Sequence, residues 1–380
     1  MKLLYIRRIS PAYRCVETVF ERLGIDYMPL DYNFSDMEKD DTFCELLGGS
    51  IVGTGCDAVF SFGFIPVASG VCQSLQVKYL SWVYDCPLPF MNQEPLLNSC
   101  NEVFFFDRVQ AHSYASAGVN AHHLPFAVDT AYFTDLLRTG KAAVGNAAEK
   151  MSYSADISLA ADIYRNGYSE LGSRLQPYLR GYFEGIVSAQ SKLYGAYLIP
   201  ELVTDDLVAA VGQCYNNNSS VKKVPGAAPD RQDVEYMLAC EVTNRERLGA
   251  AELLRGSRHC KVELYNDIKD DYSRLPFIYS GSRINLNITN KAVQSGIVPQ
   301  ALEIMACGGF LLTNYQEEIA EYLKPGEACA IYESMEDMAD KAVYYLEHEA
   351  QRLKLAQAGR ELVEQNFTFE EKIRSMFGTL

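Results

Sequence analysis

The chain has 380 residues, of which 48% are hydrophobic and 22% charged, and its formal net charge is -15. That length exceeds what one hydrophobic core usually serves and predicts two domains of ordinary globular composition. The negative balance excludes a nucleic-acid binder built on a basic stripe, since there are no spare cations to neutralise phosphates; it bears on solubility more than on fold.

The eleven cysteines, Cys15, Cys44, Cys56, Cys72, Cys86, Cys100, Cys214, Cys240, Cys260, Cys307 and Cys329, contain no CxxC pair, and there are only five histidines. Metal-ligand spacing is therefore lacking, and reduced thiols acting as small hydrophobes in a cytoplasmic protein are the expectation. The opening "MKLLYIRRIS" holds too short an apolar run for a signal peptide, and no stretch reaches the about 20 apolar residues that span a bilayer.

In chain order, "KLLYI" (2–6) reads as a strand and "AYRCVETVFERLG" (12–24) as an amphipathic helix stopped by glycine. "DAVFSFGF" (57–64), "VKYLSWVYD" (77–85), "EVFFFD" (102–107) and "AHHLPFAVD" (121–129) continue a strand series, with helices near 65–76 and 108–118 between them. Near-continuous apolar strands separated by helices predict a parallel sheet covered on both faces. The polar stretch "LRTGKAAVGNAAEKMSYS" (137–154) reads as linker, and "ADISLA" (155–160) as the first strand of a second domain. A helical insertion over about 168–257 follows, including a helix around 201–213, a polar loop at 214–230 and a long helix over 231–256. Strands resume at "CKVELYND" (260–267), "RINLNIT" (283–289), "GGFLLTN" (308–314) and "EACAIYE" (327–333). The tail reads as amphipathic helix interrupted by a glycine, with 366–380 as a terminal helix that returns towards the amino-terminal domain.

Two Rossmann-like α/β domains are thus expected, 1–140 and 155–365, facing an interdomain cleft and joined by a linker at 141–154. Ligands in such sheets bind beyond the carboxyl ends of the strands. Neither GxGxxG nor GxxxxGK[ST] occurs, which removes the usual support for dinucleotide binding or ATP hydrolysis. Within "SGIVPQALEIMACGGFLLTN" (295–314) the single charged residue is Glu303, which taken alone reads as a partly exposed surface position.

The segments "YSGSRINLNIT", "SGIVPQALEIMACGGFLLTNYQEEIAEYL" and "YYLEHEAQR" closely resemble the carboxyl-terminal domain of CgeB-like glycosyltransferases, a GT-B group first named for spore maturation in bacteria. "YLSWVYDCP" and "LPFAVD" resemble the uncharacterised domain that precedes it in that group, and "ADISLAADIY" and "YLRGYFEGIVSAQSKLYG" the middle of the same architecture. The resemblance implies a GT-B fold and metal-independent, retaining transfer of a sugar from a nucleoside-diphosphate sugar, such as a UDP- or GDP-sugar, to a hydroxyl of a glycan, protein or small molecule. No other cofactor is implied, and the oligomeric state is left open.

On this reading the carboxylate of Glu303 accepts hydrogen bonds from the ribose, and the helix start at Val298, Pro299, Gln300 and Ala301 faces the diphosphate, where unpaired N–H groups favour an anion. The Gly308–Gly309 pair then turns the chain into the next strand. Lys291 in the preceding loop is either a diphosphate ligand or a solvated lysine. Gln300 departs from the arginine of the family, and Ala161 and Asp162 replace its Gly-Ser pair; both changes remove or oppose positive charge at the expected phosphates. Tyr265 and Asn266 are candidates for the base. Arg247 matches a family "ER" pair and Tyr279 and Ser280 precede the strand leading to Asn287; each reads equally as packing.

Asp85, at the end of an aromatic strand, is the candidate to orient or deprotonate the acceptor, or else caps a turn. Asp129 is expected to fix backbone. His112, His122 and His123 have no carboxylate partner identifiable in the sequence. The alternative to an enzyme is a non-catalytic nucleotide-sugar or glycan-binding protein, favoured by Ala161, Asp162 and Gln300.

Overall fold

A computed structural model of the chain describes residues 2–8, 15–34, 36–89, 92–139, 153–164, 167–216, 229–257, 260–266 and 272–378. Most of the expected linker, 140–152, and much of the polar loop at 214–230 lie outside them. The chain divides into two compact units, one of Met1–Thr134, Ser295–Ala306 and Glu361–Leu380, the other of Asp135–Gln294 and Cys307–Arg360.

In the first unit the strands are β1 (Lys2–Arg7), β2 (Asp26–Asp31), β3 (Ala58–Phe62), β4 (Lys78–Val83), β5 (Asn101–Phe105) and β6 (Ala121–His123), all parallel in the order β2-β1-β3-β4-β5-β6. The helices α1 (Val16–Leu23), α2 (Asp41–Thr54), α3 (Pro66–Leu75), α4 (Arg108–Ser116) and α5 (Thr130–Thr139) are the connections. Alternate residues serve opposite faces. Leu3, Tyr5, Phe60, Phe62, Leu80 and Trp82 pack with Phe20 of α1. Leu4, Ile6, Val59, Tyr79 and Val103 pack with Phe43 of α2 and Ala68 of α3. Burial of both faces is why these strands read as unbroken apolar runs.

Among the elements here that the sequence reading lacks are β2 and α2. In β2, "DYMPLD", a proline and two aspartates sit on an edge strand with only Leu30 buried, so the pattern of a buried strand is missing. In α2, "DTFCELLGGSIVGT", two adjacent glycines and β-branched residues weaken the helical signal. Tertiary burial of Phe43, Leu47 and Ile51 and an Asp40 cap, accepting the Phe43 N–H at 3.0 Å, hold it instead.

The second unit has β7 (Ala155–Ala160), β8 (Val262–Tyr265), β9 (Ser282–Asn287), β10 (Leu311–Asn314) and β11 (Ala330–Tyr332), parallel in the order β11-β10-β9-β7-β8. Between β7 and β8 run α6 (Tyr168–Arg174), α7 (Pro177–Gln190), α8 (Ile199–Leu202), α9 (Asp205–Asn216) and α10 (Arg231–Ser257). This insertion has its own core of Phe183, Ile186, Leu207, Leu238 and Val242. The single helix expected around 201–213 is two: Val203 leaves the helical region at ψ 103° and Thr204 accepts the Leu207 N–H at 3.3 Å to restart it.

Helix α11 (Leu275–Gly281) leads into β9; α12 (Pro299–Ala306) belongs to the first unit; α13 (Glu317–Tyr322), α14 (Met335–Glu347) and α15 (Glu349–Asn366) follow. The tail breaks at His348, φ -109° and ψ 65°, and not at Gly359, which lies inside α15. Burial of Leu355, Ala356, Leu362 and Val363 on either side outweighs the roughly 1 kcal/mol that an interior glycine costs a helix. The last helix, α16 (Phe369–Gly378), packs Phe369, Ile373 and Met376 into the first unit's core beside α1. Among the described residues no helix is long and apolar enough to cross a membrane.

Candidate functional site

A doubly wound parallel sheet opens a crevice where its strand order reverses, beyond the carboxyl ends of the strands. In the second unit the reversal falls between β7 and β9. One segment of α10, "TNRER" (243–247), organises both strand ends. Thr243 Oγ1 accepts the Lys291 N–H at 3.1 Å. Asn244 exchanges two hydrogen bonds with the backbone of Tyr164, at 2.8 and 2.7 Å. Arg247 donates to the Ile288 carbonyl beyond β9, at 2.7 Å from Nη2 and 3.2 Å from Nε, and to the Asp162 carbonyl beyond β7. Its guanidinium also stacks over Tyr164 with 5.1 Å to the ring centre. Arg247, 5% exposed, therefore fixes the mouth of the crevice through backbone oxygens.

Lys291 is buried as well. Its ammonium lies 2.8 Å from Glu246 Oε1, 3.2 Å from the Leu193 carbonyl and 4.2 Å from the centre of the Tyr194 ring. The Glu246 contact is short but misaligned, so neither carboxylate oxygen receives a directed hydrogen bond. Burial pushes the Glu246 carboxyl pKa up, opposed by Lys291 and Arg247. Close by, Asn287 ends β9 with its Nδ2 donating to Thr289 and Thr313 at 3.1 and 2.9 Å, while its Oδ1 is unmatched. The Tyr194 hydroxyl is unmatched too, and the Tyr194 ring meets the Tyr332 ring at 5.8 Å. Glu246, Asn287 and Tyr194 thus leave buried polar atoms of both polarities near the end of β9, suited to hydroxyl groups or water.

The remaining residues singled out in the sequence scatter. Tyr265 is half-buried at the end of β8, edge-on to Tyr153 at 5.8 Å, with burial raising its pKa; Asn266 is exposed. Tyr279 is 2% exposed within α11 and its carbonyl accepts from Asn285 at 3.0 Å, which is a packing role; Ser280 is exposed. Ala161 is buried, its N–H donating to the Tyr265 carbonyl at 2.9 Å.

Helix α12 and its approach belong to the first unit, where Asp107 is decisive. Asp107 follows β5, is fully buried, and caps α4 by accepting the Gln110 N–H at 2.8 Å. The same carboxylate accepts the Ser295 and Gly296 N–H groups at 2.8 and 3.0 Å. A Cβ on Gly296 would fall 2.8 Å from the Phe106 ring, so this close approach requires glycine. Sequence reasoning missed Asp107; its one signal was an acidic residue between a strand and a helix.

Glu303 is 7% exposed, which rejects the surface reading, whereas Val298, Pro299 and Gln300 are half-buried. The N–H groups at the helix start are fewer than expected: Pro299 has none, and Ala301 donates to the Val298 carbonyl at 3.1 Å. Gly308, φ 72°, turns the chain towards β10.

Asp85 stands two residues beyond β4, exposed at its rim yet recessed enough that desolvation raises its pKa, with Arg8 pulling it down. Asp129 caps α5, accepting the Tyr132 N–H at 3.0 Å. His122 does have a carboxylate partner, Glu102 at 2.8 Å, which only the pairing of β5 with β6 reveals. Among the described residues no group of three or more His, Cys, Asp or Glu side chains is arranged to hold a metal ion.

Residues 242–378, which include all of "TNRER" and all of α12, match a family model described as glycosyl transferase-like. A protein of Aquifex aeolicus (strain VF5), itself uncharacterized, is 26% identical over 112 residues; the match takes in 29% of this chain and spans only 28% of that relative's length. Among solved structures, the sucrose-phosphate synthase of Thermosynechococcus elongatus superposes with a TM-score of 0.53 at 13% identity, covering 100% of this chain and 98% of that one. The alpha,alpha-trehalose-phosphate synthase (UDP-forming) of Burkholderia vietnamiensis gives 0.53 at 11% identity, with 100% and 98% covered. The chain has the α/β GT-B fold of two Rossmann-like units, as its sequence predicts, and its carboxyl-terminal part is similar to the glycosyl transferase-like family.

Proposed function

We propose that the protein is a CgeB-like glycosyltransferase that moves a sugar from a nucleoside-diphosphate sugar to an acceptor hydroxyl. The observation that carries this is Glu303, a buried carboxylate on the helix inside the segment matching the glycosyl transferase-like family. A carboxylate accepts hydrogen bonds, and the two ribose hydroxyls donate them. The division of labour follows the sequence reading, with residues 155–365 for the donor and 1–140 for the acceptor.

In this reading, Gln300 and the backbone at Val298 meet the diphosphate. The family resemblance supports retention at the anomeric carbon and a leaving diphosphate held without a metal. The C1–O bond to the diphosphate breaks as that to the acceptor forms, and the acceptor hydroxyl, oriented by Asp85, passes its proton to that carboxylate. One structural neighbour, the trehalose-phosphate synthase, is UDP-forming, which makes uridine nucleotides the first donors to try.

A binding-only protein is the second reading. It is favoured because Arg247 and Lys291, both near the strand ends, are already held by protein oxygens. Calorimetry with UDP- and GDP-sugars, followed by product analysis by NMR, tests both. Binding with turnover supports transfer, and the product anomer reports the stereochemistry. Tight binding without any turnover supports the second reading, and no binding by any nucleotide sugar removes both.

A further inference from the structure

Two consecutive arginines close β1 in the first unit, and their circumstances are opposite. Arg7 is saturated: Nε and Nη2 each donate to Asp31 at 2.6 Å, and Nη1 to Glu17 at 3.0 Å. Arg8, half-buried, has no hydrogen bond or ion pair with any described residue. A guanidinium offers five donors, and partial burial without acceptors is unfavourable, so such a group is set for something outside the chain.

Its position is that of a ligand site. The strand order β2-β1-β3 reverses at β1, and Arg8 stands just beyond that strand's carboxyl end. Gly63 follows the neighbouring β3, and Asp85 lies beyond β4. A Cβ built on Gly63 would fall 3.0 Å from Arg8 Nη1 and 3.9 Å from Asp85 Oδ2. A guanidinium and a carboxylate therefore flank one small gap, and the missing side chain keeps it open. Gly63 has φ 75°, a conformation that also disfavours any other residue. The two charged groups do not pair with each other among the described residues.

We infer that this gap binds an acceptor that is a small polyhydroxylated molecule bearing an oxyanion, phosphate or carboxylate, with the oxyanion on Arg8 and the reacting hydroxyl on Asp85. The chemistry follows from the two groups. The planar fork of arginine matches an oxyanion through two parallel hydrogen bonds, and an ionised carboxylate only accepts, so it takes a hydroxyl. Because both lie within 3.9 Å of one point, the anionic group and the hydroxyl belong to one molecule of about monosaccharide size. This acceptor class rests on the transferase reading; the anion site itself does not.

The test is calorimetry of the full chain, saturated with UDP, against a hexose 6-phosphate, a hexuronate and the neutral hexose. At least one anionic sugar is expected to bind tenfold or more tightly than the neutral one, and the better of the two identifies the oxyanion. Arg8→Gln should abolish that preference, Arg8→Lys should retain part of it, and Arg7→Gln should retain it fully. Equal binding of neutral and anionic sugars, undiminished preference in Arg8→Gln, or no binding of either anionic sugar overturns the inference. Should Arg8→Gln melt early, Gly63→Ala, whose methyl enters the gap, serves the same purpose. Labelled transfer from a UDP-sugar separates the two readings. Transfer to neutral hexose alone keeps the transferase and removes this inference, whereas Arg8-dependent anion binding without transfer from any nucleotide sugar keeps the anion site and removes the transferase.

Discussion

The two parallel sheets each reverse their strand order once, and the charged groups beyond the two reversals are used differently. Beyond β7 and β9, Arg247 is consumed by the carbonyls of Asp162 and Ile288, and Lys291 by Glu246 and the Leu193 carbonyl. Beyond β1 and β3, Arg8 and Asp85 have no such partners. The difference teaches that a charged residue at a strand's carboxyl end is not by itself a ligand-binding residue. What decides is whether the neighbouring backbone and side chains already satisfy it.

The largest expected effect breaks the open side. Asp85→Asn should lower turnover about 10²- to 10⁴-fold, the usual span for a group that assists proton transfer, with little change in donor affinity. Equal losses in kcat and donor binding would remove Asp85 from the acceptor side. Desolvation raises the Asp85 pKa, so the acid limb of kcat/KM should lie above the range of an ordinary aspartate. Arg8→Gln should move that limb higher still, because Arg8 holds the pKa down. The sign for stability is opposite to that for activity. A raised folded-state pKa means that stability is lost as pH rises through it, so Asp85→Asn should melt later than the wild type at neutral pH. That gain should vanish below the pKa of an unfolded aspartate, in thermal melts run across pH.

Next comes the satisfied side. Lys291→Met leaves Glu246 as a lone buried charge and should cost about 3–5 kcal/mol in urea unfolding. A cost under about 1 kcal/mol would mean that Glu246 is protonated in the wild type, consistent with its upward shift, and the contrast between the two sheets would soften. Smaller is Glu303→Ala, expected to weaken nucleotide-sugar binding by about 1.5–3 kcal/mol, the range for hydrogen bonds to a charged group; unchanged calorimetric affinity would take Glu303 out of the site. Gln300→Arg should tighten nucleoside-diphosphate binding by about 1 kcal/mol if a guanidinium there reaches phosphate, and an unaltered Kd would show that it does not. Smallest is His122→Ala, where a partly exposed pair with Glu102 should contribute no more than about 1 kcal/mol to the melt.

Part of this was legible without coordinates. The near-continuous apolar strands of the first sheet announced a parallel sheet covered on both faces, and the "SGIVPQALEIMACGGFLLTN" segment announced a helix-to-strand turn with one carboxylate. Legibility failed where tertiary contacts override local preference. Pro29 hides an edge strand, adjacent glycines hide α2, and Gly359 suggests a break that neighbouring burial prevents. It failed again for Asp107, whose partners Ser295 and Gly296 lie nearly 190 positions away. Nothing in "TNRER" says that Arg247 faces carbonyl oxygens while its neighbour Glu246 meets a lysine.

The sequence by itself determined the α/β class, the first sheet buried on both faces and the helix that carries Glu303, because those follow from periodicity and composition over short spans. Which cations are neutralised and which are left for a ligand was decided only by the tertiary structure. Hydrogen bonds to backbone oxygens depend on where distant strands end, and no local pattern of side chains records that.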